Sequence, residues 1–179
     1  MKRLFILATM LIAMAASATT VKPLSIEELT ASASLIVEGQ ATQSWSTWNT
    51  QHSLIYTFTR VRVTKTLKGA SADTVLLVKQ MGGTANGYTQ RVAGVNPMKP
   101  GDVSVLFLRP SEAHDGTMVV VGLMQGNFRI EREAQTASMV VNNGVGDVHQ
   151  SSAESLTQYR GAKMTLRQLE ARVQKATNE

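Results

Sequence analysis

The stretch SLIYTFTRVRVTKT, residues 53–66, is the strongest local signal in the chain and sets its fold class. Ile55, Thr57, Thr59, Val61 and Val63 fall on one face of an extended backbone, and Leu54, Tyr56, Phe58, Arg60 and Arg62 on the other. Alternation with period two, carried by β-branched and aromatic residues, is the pattern of a half-covered β-strand. Apolar character changes face near Phe58, so a bulge or bend is expected there. A long, bent strand is what a small barrel needs to turn a corner.

Toward the C-terminus, Lys68 to Asp73 reads as a turn and Thr74 to Gln80 as the next strand. Met81 to Gly87 reads as a flexible loop, and Tyr88 to Ala93 as a short strand. Pro97-Met98-Lys99-Pro100-Gly101-Asp102 is a turn, because Pro presets φ and Gly accepts positive φ. It delivers the chain into a strand at Val103 to Leu108, stopped by Pro110. His114-Asp115-Gly116 turns the chain into Thr117 to Leu123, and Asn127 to Glu131 and Ser138 to Val141 complete the strands.

Toward the N-terminus, Leu35 to Thr42 is a strand, and the polar stretch Gln43 to His52 a loop or hairpin. Helices are expected only near the ends. Ser25 with Glu28, and Thr165 with Gln168, have capping-box spacing. Leu166, Leu169 and Val173 give the second helix an apolar stripe that packs on the strands. Short strands at close spacing with terminal helices imply a mostly β fold. The specific expectation is a small OB-like, partly open β-barrel, with a short N-terminal helix and a C-terminal helix packed on it.

The first eighteen of 179 residues read as a cleavable secretory signal: Lys2 and Arg3, an apolar run from Leu4, and Ala16-Ser17-Ala18 as the cleavage site. The apolar run falls short of the roughly 20 residues of a spanning helix, so no stable membrane anchor is expected. The organisation is then signal peptide 1–18, β-barrel domain 19–143, polar excursion 144–163 and C-terminal helix 164–179. An exported product, periplasmic or secreted, follows. The absence of Cys excludes a disulfide framework and a lipid anchor.

The formal net charge is +5, and removing Lys2 and Arg3 leaves +3. The basic residues are scattered. The densest group, Arg60, Arg62, Lys65 and Lys68, reads as a solvated strand face, and no nucleic-acid partner is expected.

Residues 33–41, Phe58 to Gly69 with its Leu67-Lys68-Gly69 ending, Val75 to Val78, and Met98 to Leu108 together resemble the layout of OB-like, netrin-type secreted modules. That group includes the tissue inhibitors of metalloproteinases. Gly82-Gly83 and Gly126-Asn127-Phe128 are similar to features of an uncharacterised group of bacterial exported proteins. The likeness spans about Leu35 to Glu131 and implies a barrel. Tissue inhibitors hold a protease zinc through an N-terminal Cys, which this chain lacks, so that mechanism does not carry over. Fold alone does not give function.

Chemistry-bearing patterns are sparse. His52, His114 and His149 stand apart in sequence, with no paired spacing for zinc, and read as surface-loop histidines. Asp102, Asp115 and Asp147 lie in or beside glycine turns, a structural place for Asp. Gly82 to Gly87 lacks the Lys-Ser/Thr ending of a phosphate loop. No metal or cofactor is expected. Trp45 and Trp48, large aromatics in a polar segment, are the best binding candidates. Gly82 and Gly83 are grouped with them on the expectation that both segments reach one barrel rim. The expected function is a non-enzymatic, exported interaction module with a protein partner, such as a secreted or periplasmic hydrolase that it inhibits or escorts. A carbohydrate or small-ligand module of the cell envelope is the alternative, and it requires Trp45 and Trp48 to form one exposed platform. An enzyme with an unrecognised site is a third class.

Overall fold

The computed structural model describes residues 23–92, 95, 97–132, 139–142 and 164–179. The expected leader, the polar excursion at 144–163, Asp147 and His149 lie outside the described residues. Helix α1 (Ile26–Ser32) is followed by β1 (Leu35–Trp48), β2 (Ile55–Lys68), β3 (Val75–Met81), β4 (Gly83–Ala85) and β5 (Tyr88–Gln90). Then come β6 (Val103–Pro110), β7 (Met118–Val120), β8 (Asn127–Arg132), β9 (Met139–Asn142), β10 (Met164–Thr165) and α2 (Leu166–Asn178).

Five strands close a barrel in the order β1-β2-β3-β7-β6, and β6 pairs back onto β1. All neighbours are antiparallel except β3 and β7, which run parallel and meet at the single pair Val78↔Met118. This is the mostly β, OB-like barrel that the sequence implies, with that short pairing as its seam. Beyond the barrel, β6 also pairs with β8, and β9 and β10 extend the sheet.

Continuous apolar runs in β1 and β6 are explained by burial on both faces. Leu35, Val37, Leu106 and Leu108 point into the barrel, with Val61, Leu76 and Val78. Ile36, Val105 and Phe107 point outward, beneath Ile26 and Leu29 of α1 and Leu169 and Val173 of α2. Each large side chain fully buried this way contributes roughly 1.5–3 kcal/mol. Both helices start at the expected capping boxes, Ser25 with Glu28 and Thr165 with Gln168. Arg172 grips Glu27 through two hydrogen bonds of 2.9 and 2.7 Å, tying the helices together.

Local details differ from the sequence expectation. Gln43 to Trp48 is not a loop: β1 continues through it, paired with β2 to Trp48↔Ile55. Its inward Ser44 and Ser46 meet Thr59 and Thr57 through hydroxyl bonds of 3.2 and 2.8 Å, so a polar strand satisfies a polar barrel rim. The ladder is regular at Phe58, which faces Trp45 and Lys79, and the irregularities lie further along, at Ile36/Val37, Glu38/Gly39 and Ala41/Gln43. Residues 83–90 form a hairpin rather than a flexible loop, turned by Asn86 and Gly87 with φ of 51° and 81°. Two successive positive φ values are what a two-residue hairpin turn demands. The strand expected at Thr117 to Leu123 is cut to Met118–Val120, because the chain turns at Gly122 and Leu123, both with φ of 65°.

Candidate binding face

Outward side chains of β1, β2 and β3 form a grid fixed by strand register. Its rows are Thr47–Tyr56–Met81, Trp45–Phe58–Lys79, Gln43–Arg60–Leu77 and Gln40–Arg62–Val75. Outward residues along one strand repeat about every 6.8 Å. None of these twelve positions carries a carboxylate.

The grid is aromatic at one end and cationic at the other. The Trp45 and Phe58 rings stack with centroids 5.8 Å apart and planes 17° apart. The Arg60 guanidinium lies 5.7 Å from the Trp45 centroid, and the Lys79 ammonium 4.6 Å from that of Tyr56. Cation–π contacts of this kind are worth about 0.5–1 kcal/mol at exposed sites, and they hold the cations flat against the sheet. Five large apolar or aromatic side chains are exposed among the described residues, and three of them, Trp45, Val75 and Met81, belong to this grid.

The basic group of the sequence divides cleanly. Lys65 pairs with Glu170 of α2 at 2.6 Å, and Lys68 donates to the Thr30 and Ala33 carbonyls at the C-terminal end of α1. Those two lysines are structural. Arg60 and Arg62 have no carboxylate partner among the described residues, and both are exposed. Lys79 reaches Asp115 at 2.9 Å, across the β3–β7 seam. Hydrogen bonds from Thr117, then from Lys79, hold the Asp115 carboxyl well below the usual carboxylate range.

The residues singled out in the sequence do not form one site. Trp45 lies on the outer face, 37% exposed. Trp48 alternates with it: it lies on the face of Ser44 and Ser46, stacked 6.2 Å from His52 and edge-on to Tyr88 at 5.9 Å. Two tryptophans on opposite faces of one strand make no common platform. Trp48 and the hairpin after Gly82-Gly83 do share a rim, through Tyr88.

Gly82 and Gly83 are packed and hydrogen-bonded into the barrel rim. The Gly82 carbonyl accepts a 2.7 Å bond from the Thr57 hydroxyl, and its N–H donates to the Ile55 carbonyl at 2.7 Å. Gly83 has φ of 135° and sits directly against the Ser46 and Thr57 hydroxyls. His52 and His114 are exposed turn residues with φ of 51° and 50°.

Sequence reasoning missed Arg60, Phe58, Tyr56 and Lys79 as a surface. Their signal was the outward half of the alternation in β2, which placed all but Lys79 on one face.

A cleft of about 570 Å³ opens beside the grid where β3 and β7 diverge; Tyr56, Lys79 and Met81 line it with Arg109, Ser111 and Leu123. Among the described residues, no three His, Asp or Glu side chains gather as metal ligands. No helix of the described residues is long and apolar enough to cross a membrane. Compared with known proteins, the chain matches no family model and no curated sequence.

Proposed function

We propose that this chain is an exported, non-enzymatic interaction module that binds a protein partner through the outer face of β1, β2 and β3. The observation that carries this reading is the coincidence, on one sheet face, of exposed Trp45 and Met81 with Arg60 and Arg62, cations that lack carboxylate partners among the described residues. Aromatic residues and Arg dominate the energetics of protein interfaces, because they combine large apolar area with directional donors. A partner that brings carboxylates to the two arginines gains charge-assisted hydrogen bonds without displacing an existing ion pair. The carbohydrate reading loses its main support, since Trp45 and Trp48 do not share a face.

The test is affinity capture from the native exported fraction, with the wild-type chain beside Trp45→Ala/Arg60→Gln and the helix-face control Arg172→Gln. A stoichiometric protein held by wild type and control, and lost by the double variant, supports the reading. Retention by all three sinks it.

A further inference from the structure

We infer that the protein partner of this face adds an acidic, extended strand to the open edge of β1. The inference rests on the binding reading above and specifies how that partner docks. Over its first half, β1 is bonded on both sides: β6 covers Leu35 to Gln40, and Ala41 exchanges 2.8 Å bonds with Asp102 and Gly101. From Gln43 to Trp48 it is paired only with β2 among the described residues.

The direction of each main-chain group follows from the ladder. Asn49 N–H donates to the Leu54 carbonyl at 2.8 Å, so residue 49 faces β2. Antiparallel pairing alternates, so Thr47, Trp45 and Gln43 also face β2, while Ser44, Ser46 and Trp48 direct N–H and C=O to the open side. The opposite strand agrees. Ile55, across from Trp48, bonds away from β1: its carbonyl accepts from Gly82 and its N–H donates to the Gln90 side chain, both at 2.7 Å.

Exposed edges are normally protected by charge or proline. Gln43 to Trp48 contains neither. Gly83 approaches Ser46 at its inward side chain.

The electrostatics select the occupant. An added strand would run about 4.8 Å from β1, its outward side chains beside Gln43, Trp45 and Thr47. Arg60 reaches from β2 to the ring of Trp45 on the edge strand, with no carboxylate opposite it among the described residues. A carboxylate on the added strand next to Trp45 would meet the guanidinium. A second copy of β1 would bring no acid, because Gln43 to Trp48 is uncharged.

The test titrates three synthetic nonapeptides into the full chain, followed by amide NMR. One alternates Glu and Thr, one alternates Lys and Thr, and one is the Glu peptide N-methylated on alternate residues, which removes its strand-pairing donors. The Glu peptide should bind and shift Gln43 to Trp48, and the other two should bind at least roughly tenfold more weakly. Ser44→Pro removes one open-edge donor and the Ser44–Thr59 hydroxyl bond while sparing the main-chain bonds to β2, and should weaken the Glu peptide by roughly tenfold where Ser44→Ala, which loses only the hydroxyl, does not; Arg60→Gln should weaken it by a similar factor.

Equal binding of the N-methylated peptide would overturn strand addition. If Arg60→Gln still weakened both peptides, the binding face itself would stand. No shift with the Glu peptide at about millimolar concentration would also overturn the inference, while capture of the native partner judges the face separately. Tighter binding of single-stranded oligothymidylate, or a dimer that Ser44→Pro dissolves, would replace the proposed occupant.

Discussion

Gly83→Ala discriminates between a structural and a ligand-holding role for the glycine pair. At φ of 135° the backbone lies where side chains are rarely tolerated, a strain of about 1–3 kcal/mol. The added methyl would also strike the Ser46 and Thr57 hydroxyls. Thr57 donates to the Gly82 carbonyl, so Ser46 supplies the proton of the 2.8 Å bond between the two hydroxyls. Disturbing these two bonds adds about 0.5–1.5 kcal/mol each. The expected loss is therefore roughly 2–6 kcal/mol, read by urea unfolding with tryptophan fluorescence. In a Ser46→Ala background the collision is partly relieved, so the loss should shrink by roughly 1 kcal/mol while the backbone strain remains. A Gly83→Ala protein within about 0.5 kcal/mol of wild type would refute the structural assignment and return the glycine pair to the list of binding candidates.

The remaining expectations concern the seam, the C-terminal helix and the two tryptophans. Because Asp115 has its folded pKa depressed, its contribution is present above the unfolded value near 4 and fades as pH falls below it. Asp115→Asn should therefore flatten the acid limb of a stability–pH curve; parallel limbs would remove Asp115 from the seam's acid response. Thr165→Ala should destabilise by about 1 kcal/mol through loss of the α2 cap, measured by thermal melting. Leu169→Ala, at a fully buried position on the inner face of α2, should destabilise by about 2–5 kcal/mol in the same melts. Trp45→Ala should weaken partner binding by tenfold or more while Trp48→Ala leaves it within about twofold, as read by titration calorimetry; equal effects would place the site at the rim instead.

Much of the fold was legible because local chemistry and tertiary demand agree there. Ser25, Glu28, Thr165 and Gln168 set the helix starts through contacts three residues apart, and Ile55 to Val63 declare a covered face by strict alternation. The extension of β1 was hidden because Ser44 and Ser46 are polar yet point inward, where only the hydroxyls of Thr57 and Thr59, distant in sequence, make them welcome. The Asn86-Gly87 hairpin carried a local signal, but its three-residue strands are too short for alternation to register. The seam at Val78↔Met118 is a single parallel pair between segments forty residues apart, and no local pattern announces it.

The candidate site shows the same division. Trp45 stood out as an aromatic in a polar run, but its separation from Trp48 depends on knowing that the run is a strand. Arg60 and Arg62 stood out as charge. Their distinction from Lys65 and Lys68 appears only when Glu170 and the end of α1 arrive to engage the lysines.

The most direct test of the binding face is amide hydrogen exchange on the chain alone and in complex with the protein it captures. New protection is expected at Gln43–Trp48 and Tyr56–Arg62, with α1 and α2 unchanged. Protection confined to the two helices, with β1 and β2 exchanging as in the isolated chain, would contradict it.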